Sequence, residues 1–273
     1  MTREMIITEL QNRGYNAEAQ NVIKNGVELE AISIKTDSNI APVIYTKALI
    51  ENAEENNKSL DEVVSSIIKI FEDNKSFNFD VKALENKDFI LNRLYIGLQK
   101  DSTENIIKKG CDLDGIESYL YIRGNANENE GYSIKLNSTI LENANISEVE
   151  AWEKAEANTN KETNLESMAK VLARMMGFDY FEEMETAPFY VISNKCGVKG
   201  ASAILNKSVL ADFGRRYNTN KIVVLPSSIH EMLITPYTED IDIKSFTSMV
   251  AEVNDTTVDP VEQLTDRAYI INI

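Results

Sequence analysis

The residue types best suited to catalysis meet in one short segment, Leu225–Ile234. It contains His230, the only histidine of the chain, together with Ser227, Ser228 and Glu231. Histidine is the usual general base near neutral pH, and a serine hydroxyl becomes a nucleophile when such a base takes its proton. The segment is therefore compatible with a small hydrolase or transferase in which His230 activates a serine.

The geometry of a strand argues against that catalytic arrangement. Side chains alternate between the two faces of a strand, so Ser228 and His230 would share a face while Glu231 points away and cannot orient the imidazole. The GxSxG motif of a nucleophilic serine is also absent. We therefore expect a structural role, in which the serines satisfy backbone groups where a strand begins and His230 makes a polar contact at a sheet edge. The catalytic use of His230 is the alternative.

The sequence offers little for a metal ion or a phosphate group. With one histidine and two cysteines, Cys111 and Cys196, a zinc site would need all three of these ligands. Residues 111–115 place two aspartates beside a glycine but lack the further acidic positions of a calcium loop, so we expect a surface turn. Neither GxxxxGK(S/T) nor GxGxxG occurs, and Gly197–Gly200 is expected to form a turn with Lys199 in solvent. No metal and no cofactor is predicted.

Acidic side chains outnumber basic ones by 44 to 28, which gives a net charge of −16 at pH 7. Binding to a nucleic-acid backbone requires a positively charged stripe that displaces counterions. The only basic doublets, Lys108–Lys109 and Arg215–Arg216, have acidic residues close by. Direct binding to nucleic acid is therefore not expected. The charge either keeps the protein soluble or attracts a partner protein with a basic surface.

Two short acidic clusters are the candidate positions for binding such a partner. They are Glu182, Glu183 and Glu185 in the first cluster, and Glu239, Asp240 and Asp242 in the second. Neighbouring carboxylates are common in so acidic a chain, and the simpler interpretation is that they form solvated surface. Neutralising these clusters separates the two interpretations, because only a binding surface would lose affinity.

Two local signals are clear in the first third of the chain. Asn25–Gly26 lies between two β-rich runs, Gln20–Lys24 and Val27–Lys35, and Asn-Gly is the strongest short hairpin signal because both residues tolerate positive φ. Ile40–Tyr45 is a candidate third strand. Further on, Ser59-Leu60-Asp61-Glu62 has the spacing of a capping box, and apolar residues then recur at helical spacing to about residue 72.

A second helical region follows in the middle of the chain. Ser147 is expected to cap a helix, and another helix is expected over Asn164–Met176. The inward-facing side chains of the first helix are expected to be Val149, Trp152 and Ala155. We expect Met175 and Met176 to pack in a helix core rather than to form an adaptable binding surface.

The remaining pattern predicts short strands separated by helices. We expect strands over 89–98, 116–122, 132–136, 189–192, 201–205, 222–225, 232–234 and 269–273, and helices over 208–217 and 243–253. Without a strict βαβ rhythm, this order indicates an α+β fold with mixed or antiparallel sheets and packed helices. A break near 137–147 predicts an N-terminal α+β lobe of residues 1–140 and a C-terminal α+β lobe of residues 141–273. A single domain is the alternative.

Nothing in the sequence indicates a membrane or a secretory route. No run approaches the roughly 18 apolar residues that span a bilayer, and the opening Met1–Ile7 is too short and too mixed for a secretion signal. Two cysteines form no disulfide framework and fit a reducing compartment. We therefore expect a cytoplasmic protein.

Several runs carry a resemblance to a known family. They are Pro188–Asn194, Gly200–Leu205, Leu225–Glu231, Met249–Asn254 and Ser38–Pro42. The chain resembles an uncharacterised domain-of-unknown-function family from Gram-positive, largely anaerobic gut bacteria and their phages and mobile elements. That family has no established activity, so the resemblance transfers no catalytic residue. It implies an accessory gene context, in which acidic proteins sometimes inhibit host defence nucleases by occupying their DNA or RNA grooves.

These observations favour a binding protein over an enzyme. The leading interpretation is a non-enzymatic, acidic protein-binding module that inhibits a host nucleic-acid-binding defence protein, as an anti-CRISPR-like protein or a DNA mimic would. The first alternative is the hydrolase or transferase that uses His230 with a serine. The second is a housekeeping interaction domain.

Overall fold

A computed structural model describes residues 1–35, 43–74, 79–125, 131–180 and 188–273. The chain divides into two compact units, Met1–Val81 and Lys82–Ile273. The predicted boundary at 140/141 falls inside the second unit. Side chains from both sides of that position, among them Ile122 and Ala151, share one hydrophobic core, which is why the chain does not divide there.

The described part of the first unit consists of an antiparallel sheet and helices. Its elements are α1 (Arg3–Asn12), β1 (Ala17–Lys24), β2 (Val27–Ile34), β3 (Val43–Tyr45), α2 (Lys47–Glu55) and α3 (Leu60–Asn74). Strand β2 lies between β1 and β3. Helices and sheet share one core, in which Ile6, Ile32 and Ile67 are fully buried.

The hairpin predicted at Asn25–Gly26 is confirmed. Strands β1 and β2 pair directly across the turn, where Asn25 and Gly26 have φ values of 51° and 77°. Two consecutive positive φ values match the right-handed twist of the flanking strands. The third strand pairs with β2 over Val43–Tyr45, and the other predicted residues, 40–42, lie outside the described residues.

The capping box predicted for α3 is confirmed. The backbone N–H of Glu62 donates to Ser59 Oγ at 3.3 Å, and the backbone N–H of Ser59 donates to Glu62 Oε2 at 2.8 Å. This reciprocal pair satisfies two backbone donors that the first turn of a helix leaves free. The apolar stripe behind it buries Ile67 and Phe71 in the core of the first unit.

The second unit adds two further antiparallel sheets with helices packed against them. A 3₁₀ helix (Val81–Glu85) precedes α4 (Lys87–Arg93), β4 (Leu94–Lys100), β5 (Lys108–Gly110), β6 (Ile116–Asn125), β7 (Gly131–Lys135), α5 (Ser138–Asn143), α6 (Glu148–Glu162), β8 (Thr163–Ser167) and α7 (Met168–Met176). Then come β9 (Tyr190–Asn194), a second 3₁₀ helix (Gly200–Leu205), α8 (Lys207–Tyr217), β10 (Lys221–Pro226), β11 (Glu231–Pro236), α9 (Ile243–Thr256) and β12 (Tyr269–Asn272). The predicted α+β class is confirmed.

Strand β6 organises a four-stranded sheet, because it pairs with β4, β5 and β7. One face carries apolar side chains such as Leu120 and Ile122, which pack with α4 and α6. The opposite face, set by the two-residue alternation of a strand, carries Gln99, Glu117 and Tyr119. These side chains are polar or amphipathic and yet buried, so this face of the sheet carries polar groups that are shielded from water.

The five-stranded sheet has the order β12-β10-β11-β9-β8, with all pairs antiparallel. One face forms a core with α8 and the second 3₁₀ helix, and Ile192, Phe213 and Met232 are buried there. The other face places Val223 and Leu225 in a smaller core with α9. Strands β12 and β8 are the two edges of this sheet.

Two segments differ from their predicted structure because a polar side chain caps a helix. Phe89–Arg93 is helical rather than extended, since Asn86 Oδ1 accepts the backbone N–H of Phe89 at 2.9 Å. In the other segment, residues 164–167 belong to β8 rather than to a helix. The helix begins only at α7, where the Ser167 side chain caps it.

The segment Gly200–Leu205 forms a 3₁₀ helix, so the prediction of a strand there is wrong. Lys199, which precedes it, has a left-handed φ of 53° and turns the chain away from β9. The residues from Gly200 to Ile204 are all buried, so they show no polar and apolar alternation. A short apolar run of this kind is compatible with either structure.

Three side chains expected to lie inside are exposed instead. Val149 lies on the outer side of α6, with 69% of its surface exposed, whereas Ala155 of the same helix is buried as predicted and Trp152 is half-buried. Met175 and Met176 are 77% and 61% exposed at the end of α7. The expectation that these two methionines form a helix core is wrong, because the buried side of α7 is narrow and contains Ala173.

The longest described helices, α3 and α6, have 15 residues each. A helix needs about 20 apolar residues to cross a bilayer. Across the described ranges, no helix has the length and apolar character that a membrane span requires.

Candidate functional site

The predicted serine–histidine segment forms the connection between β10 and β11. The backbone N–H of Ser228 donates to the carbonyl of Glu231 at 3.1 Å, and Ser228 Oγ accepts the backbone N–H of His230 at 3.1 Å. The Ser228 hydroxyl therefore stabilises a tight turn. Ser227 is half-buried, and in the described chain no hydrogen bond joins it to His230.

Both ring nitrogens of His230 have partners. Nδ1 accepts the backbone N–H of Lys199 at 3.1 Å, and Nε2 lies 3.2 Å from Glu262 Oε1. Because Nδ1 is an acceptor, the proton of the neutral ring is on Nε2 and is donated to Glu262. The half-buried imidazole thus joins the start of β11 to two segments distant in sequence.

Activation of a serine would require a free basic nitrogen on His230, and both nitrogens are occupied. Ser193 Oγ also reaches His230, but it donates to the backbone carbonyl at 2.7 Å rather than to the ring. Glu231 pairs with Ser193 across β11 and β9, and the two line a polar groove of about 500 Å³ whose lining does not include His230. The predicted residues therefore form no nucleophile–base–carboxylate chain within the described structure.

A buried polar network that the sequence analysis missed lies on β4, β5 and β6. Glu117 Oε1 accepts from Gln99 Nε2 at 2.7 Å and from Ser102 Oγ at 2.6 Å. Lys108 Nζ lies 3.1 Å from the other oxygen, Glu117 Oε2. Gln99 and Glu117 are 2% and 7% exposed, so these groups are almost entirely removed from water.

Lys135 of β7 extends this network. Its Nζ donates to Gln99 Oε1 at 2.7 Å and to Glu104 Oε2 at 2.6 Å. Burial alone raises the pKa of Glu117, but the hydrogen bonds from its neighbours outweigh burial and hold that pKa below the ordinary value. Glu117 is therefore ionised at neutral pH and paired with Lys108. A buried ion pair whose remaining groups are hydrogen-bonded fixes a fold, and it leaves no open position for a ligand.

Two tyrosines continue the polar face of β6 and meet Lys199. Lys199 Nζ donates to Tyr119 Oη at 3.3 Å and lies 5.7 Å and 5.2 Å from the ring centres of Tyr119 and Tyr121. Burial raises the pKa of both phenols well above the ordinary value, so both stay protonated at neutral pH and cannot act as bases. The expectation that Lys199 lies in solvent is wrong, because the ammonium group packs against two aromatic rings.

Arg123, at the end of the same face, contacts the thiol of Cys196. Nη1 donates to Cys196 Sγ at 3.0 Å, and Nη2 donates to Glu162 Oε2 at 2.5 Å. The guanidinium also stacks 4.1 Å from the ring centre of Tyr95. Glu162 balances the positive charge of Arg123, and the contact with Cys196 links β6 to the turn after β9.

The two predicted acidic clusters have different outcomes. Residues 182–185 lie outside the described residues. The other cluster, here called the acidic loop, lies between β11 and α9 and consists of Glu239, Asp240 and Asp242, all exposed. Asp242 caps α9, and a hydrogen bond from Thr238 lowers the pKa of Asp240. Among the described residues, no basic side chain forms an ion pair with the acidic loop.

The cysteines form no metal site with other residues of the described chain, where no group of three histidine, cysteine or acidic side chains is placed to hold an ion. Cys111 Sγ donates to the carbonyl of Ile116 at 3.2 Å, and burial raises the pKa of its thiol. Residues 111–115 end in a turn in which Gly115 has a φ of 84°. The thiol of Cys111 is therefore part of the support for a turn.

A sequence signal for the buried network exists, but it is ambiguous. Glu117, Tyr119, Tyr121 and Arg123 occupy every second position of β6, which is the pattern of a strand with one polar face. Such a face is usually in contact with water. Its burial depends on partners such as Lys199, which contacts it from 80 positions away in sequence.

The fold and these contacts define an acidic α+β protein whose interior contains extensive polar networks. The sequence model of DUF5688, a family of unknown function, matches residues 2–272, and the chain belongs to this family. No curated protein and no solved structure matches the chain. The family match supports the resemblance to an uncharacterised family and assigns no activity to any residue.

Proposed function

We propose that the protein is a non-enzymatic binding module that associates with a partner protein through negative surface charge. The observation that carries this proposal is the acidic loop, in which Glu239, Asp240 and Asp242 are exposed and form no ion pair within the described chain. Carboxylates that form no internal ion pair are available to an external cation. The net charge of −16 adds a long-range attraction for any positively charged protein.

The acidic loop is held between two regular elements, so its charges have defined positions. Asp242 caps the first turn of α9, and β11 ends just before the loop at Pro236. The hydrogen bond from Thr238 lowers the pKa of Asp240, which therefore stays ionised at neutral pH. An ordered cluster of negative charges loses less conformational entropy on binding than mobile side chains would.

Exposed apolar side chains on α7 favour a protein as the partner. Leu172, Met175, Met176 and Phe178 are all exposed on this short helix or directly after it. Methionine side chains adapt to differently shaped partners because they are unbranched and polarisable. Grouped exposed apolar residues are typical of protein interaction surfaces. An acidic chain with such a surface is suited to a protein that combines basic and apolar contacts.

The proposed partner class is a nucleic-acid-binding protein whose basic groove the acidic chain occupies. Carboxylates would take the positions of phosphates, as in an inhibitor of a host defence protein that is encoded by a mobile element. Association should then be fast at low salt and slow steeply as salt screens the field, since the Debye length falls from about 30 Å at 0.01 M to about 8 Å at 0.15 M. Duplex DNA should compete for the same partner.

The test compares two triple variants that remove the same number of charges. One neutralises the acidic loop (E239Q/D240N/D242N), and the control neutralises exposed acids of α5 and α6 that form no ion pair in the described chain (E142Q/E153Q/E156Q). Partners are captured at low salt from the cells that encode the chain, and their association rates are measured by stopped-flow fluorescence. A loss of rate in the loop variant alone supports the proposal, and equal rates for both variants overturn it.

A hydrolase or transferase centred on His230 receives no support from the geometry. The Nδ1 atom of His230 would have to accept the serine proton. It instead accepts the backbone N–H of Lys199. Its Nε2 is paired with Glu262. The contact of Nδ1 with the Lys199 N–H would have to break before the ring could act as a base.

A further inference from the structure

The backbone of β12 has one unpaired side. Ile273 N–H donates to the carbonyl of Asn220 at 3.0 Å, which makes this a hydrogen-bonded pair of the β10–β12 ladder. Hydrogen-bonded and non-hydrogen-bonded pairs alternate in an antiparallel ladder. Ile270 and Asn272, opposite Val223 and Lys221, therefore direct their N–H and C=O groups away from β10.

A second hydrogen bond supports this assignment. The carbonyl of Lys221 accepts the N–H of Tyr237 at 3.0 Å, so it points toward β11 and away from β12. Within the described residues, no other segment bonds to the outward backbone groups of Ile270 and Asn272. The edge therefore offers two donors and two acceptors with the spacing of a strand.

The edge lacks most of the features that prevent pairing. Natural edge strands are protected by short length, charged side chains, proline or bulges; β12 (Tyr-Ile-Ile-Asn) is short, with four residues, but has no charged side chain, proline or bulge. The opposite edge of the same sheet is different, because β8 carries Glu166, whose carboxylate binds Arg174 and Lys170. Of the two edge strands of this sheet, only β12 has no charged side chain.

An apolar groove of about 550 Å³ lies along this edge. Its walls are Leu113, Ile204, Leu205, Leu210 and the residues of β12 itself. The charged lining residues are Asp112, which is exposed and forms no ion pair in the described chain, and Lys207 at the start of α8. The backbone edge and the apolar wall together present the two features that an extended peptide requires.

We propose that β12 binds an extended segment of a partner protein, which pairs with Ile270 and Asn272 and becomes an additional strand of the sheet. Alternate side chains of that segment are apolar and fill the groove between Leu113 and Leu210. A basic side chain of the segment meets Asp112, which fits the net charge of −16. This inference rests on the proposed function only in that the chain binds another protein.

The test selects peptides from a phage-displayed library of random linear nonapeptides on the immobilised full chain. The expected result is enrichment of sequences in which apolar residues alternate with polar or basic ones. Ile270→Pro removes an outward N–H without removing a bond to β10. We expect this substitution to lower the affinity for the selected peptides at least about tenfold. Ile270→Thr keeps the N–H and should change their affinity by less than about threefold.

Hydrogen exchange gives a second readout that needs no variant. In the free wild-type chain the amides of Ile270 and Asn272 should exchange rapidly, and a bound peptide should protect both. Absence of enrichment, equal binding to Ile270→Pro, or unchanged exchange at both amides would overturn strand addition. Edge-dependent peptides without basic residues would support strand addition and contradict the contact with Asp112, and a salt-insensitive partner would count against the proposed function alone.

Discussion

The polar contacts around Glu117 and those around His230 differ mainly in burial. Glu117 lies in the interior and its carboxylate is fully satisfied by three neighbouring side chains, whereas the His230 ring is half-buried and bridges a backbone N–H and a half-buried glutamate. The His230 set contains the residue types that suggest catalysis. The contacts of Glu117 should contribute more to the free energy of unfolding than those of His230, because a charge left unpaired in the interior cannot be hydrated.

This difference shows which groups of the second unit are available for function. Polar side chains that satisfy one another, whether buried or half-exposed, specify the fold. In the described chain, the carboxylates of the acidic loop form no ion pair, and the backbone groups on the outer edge of β12 form no hydrogen bond. Binding to another molecule would supply partners for these carboxylates and for the backbone groups of the edge strand.

Removing the buried carboxylate should have the largest effect on stability. Glu117→Ala leaves the Lys108 ammonium without its counterion in a largely buried position, and we expect the free energy of unfolding to fall by about 3 kcal/mol or more. Trp152 is the only tryptophan and lies in the second unit, so its fluorescence in urea reports this change. Glu153→Ala, at an exposed position of α6, should stay within about 0.5 kcal/mol of the wild type.

The same carboxylate predicts a pH dependence with a definite sign. Since the folded-state pKa of Glu117 is lowered from 4.5, its ionised form stabilises the folded chain above 4.5, and this contribution is lost as pH falls through the folded-state pKa. The difference in unfolding free energy between wild type and Glu117→Gln should be constant near neutral pH and shrink below 4.5. A difference that grows on acidification would contradict the assigned ion pair.

Removing the imidazole should have a smaller effect. His230→Ala deletes an acceptor for the Lys199 N–H and a partner of Glu262 at a half-exposed position, so we expect a loss of about 1 kcal/mol. His230→Asn should recover part of that loss, because its amide oxygen can replace Nδ1 as an acceptor. No ester or phosphoester turnover should depend on the ring. Hydrolysis that is present in the wild type and abolished in both variants would reverse the structural assignment.

Neutralising the acidic loop should leave stability almost unchanged, which is the smallest expected effect. Glu239 and Asp240 are exposed and form no ion pair in the described chain, so E239Q/D240N should change the unfolding free energy by less than about 0.5 kcal/mol. Urea unfolding followed by Trp152 fluorescence measures the change. A loss comparable to that of Glu117→Ala would mean that the loop is structural.

The elements predicted correctly are those whose signals are local. Asn25–Gly26 and the Ser59–Glu62 box each specify their structure within four residues. At Phe89–Arg93 the β-type composition competed with a helix cap at Asn86, and the cap determined the structure. The apolar run Gly200–Leu205 could not be resolved in sequence, because a fully buried segment has no periodicity.

The contacts of the candidate sites depend on which residues pair between neighbouring strands. This register cannot be read from the sequence. That His230 and Ser193 meet follows from the pairing of β9 with β11, and it joins residues 37 positions apart. The Glu117–Lys108 pair similarly depends on the pairing of β5 with β6. Composition did identify the histidine segment and the acidic loop. Composition could not show that the ring of His230 is occupied by internal contacts, or that the acidic loop forms no ion pair within the described chain.

The association rate of the captured partner at low and high salt is the most direct measurement of the binding proposal. At about 50 mM salt, E239Q/D240N/D242N should associate roughly tenfold more slowly than the wild type, while E142Q/E153Q/E156Q should stay within about twofold. At about 500 mM salt the three proteins should converge, because the Debye length is then only about 4 Å. A wild-type rate that does not change with salt, or equal slowing by both triple variants, would contradict binding through the acidic loop.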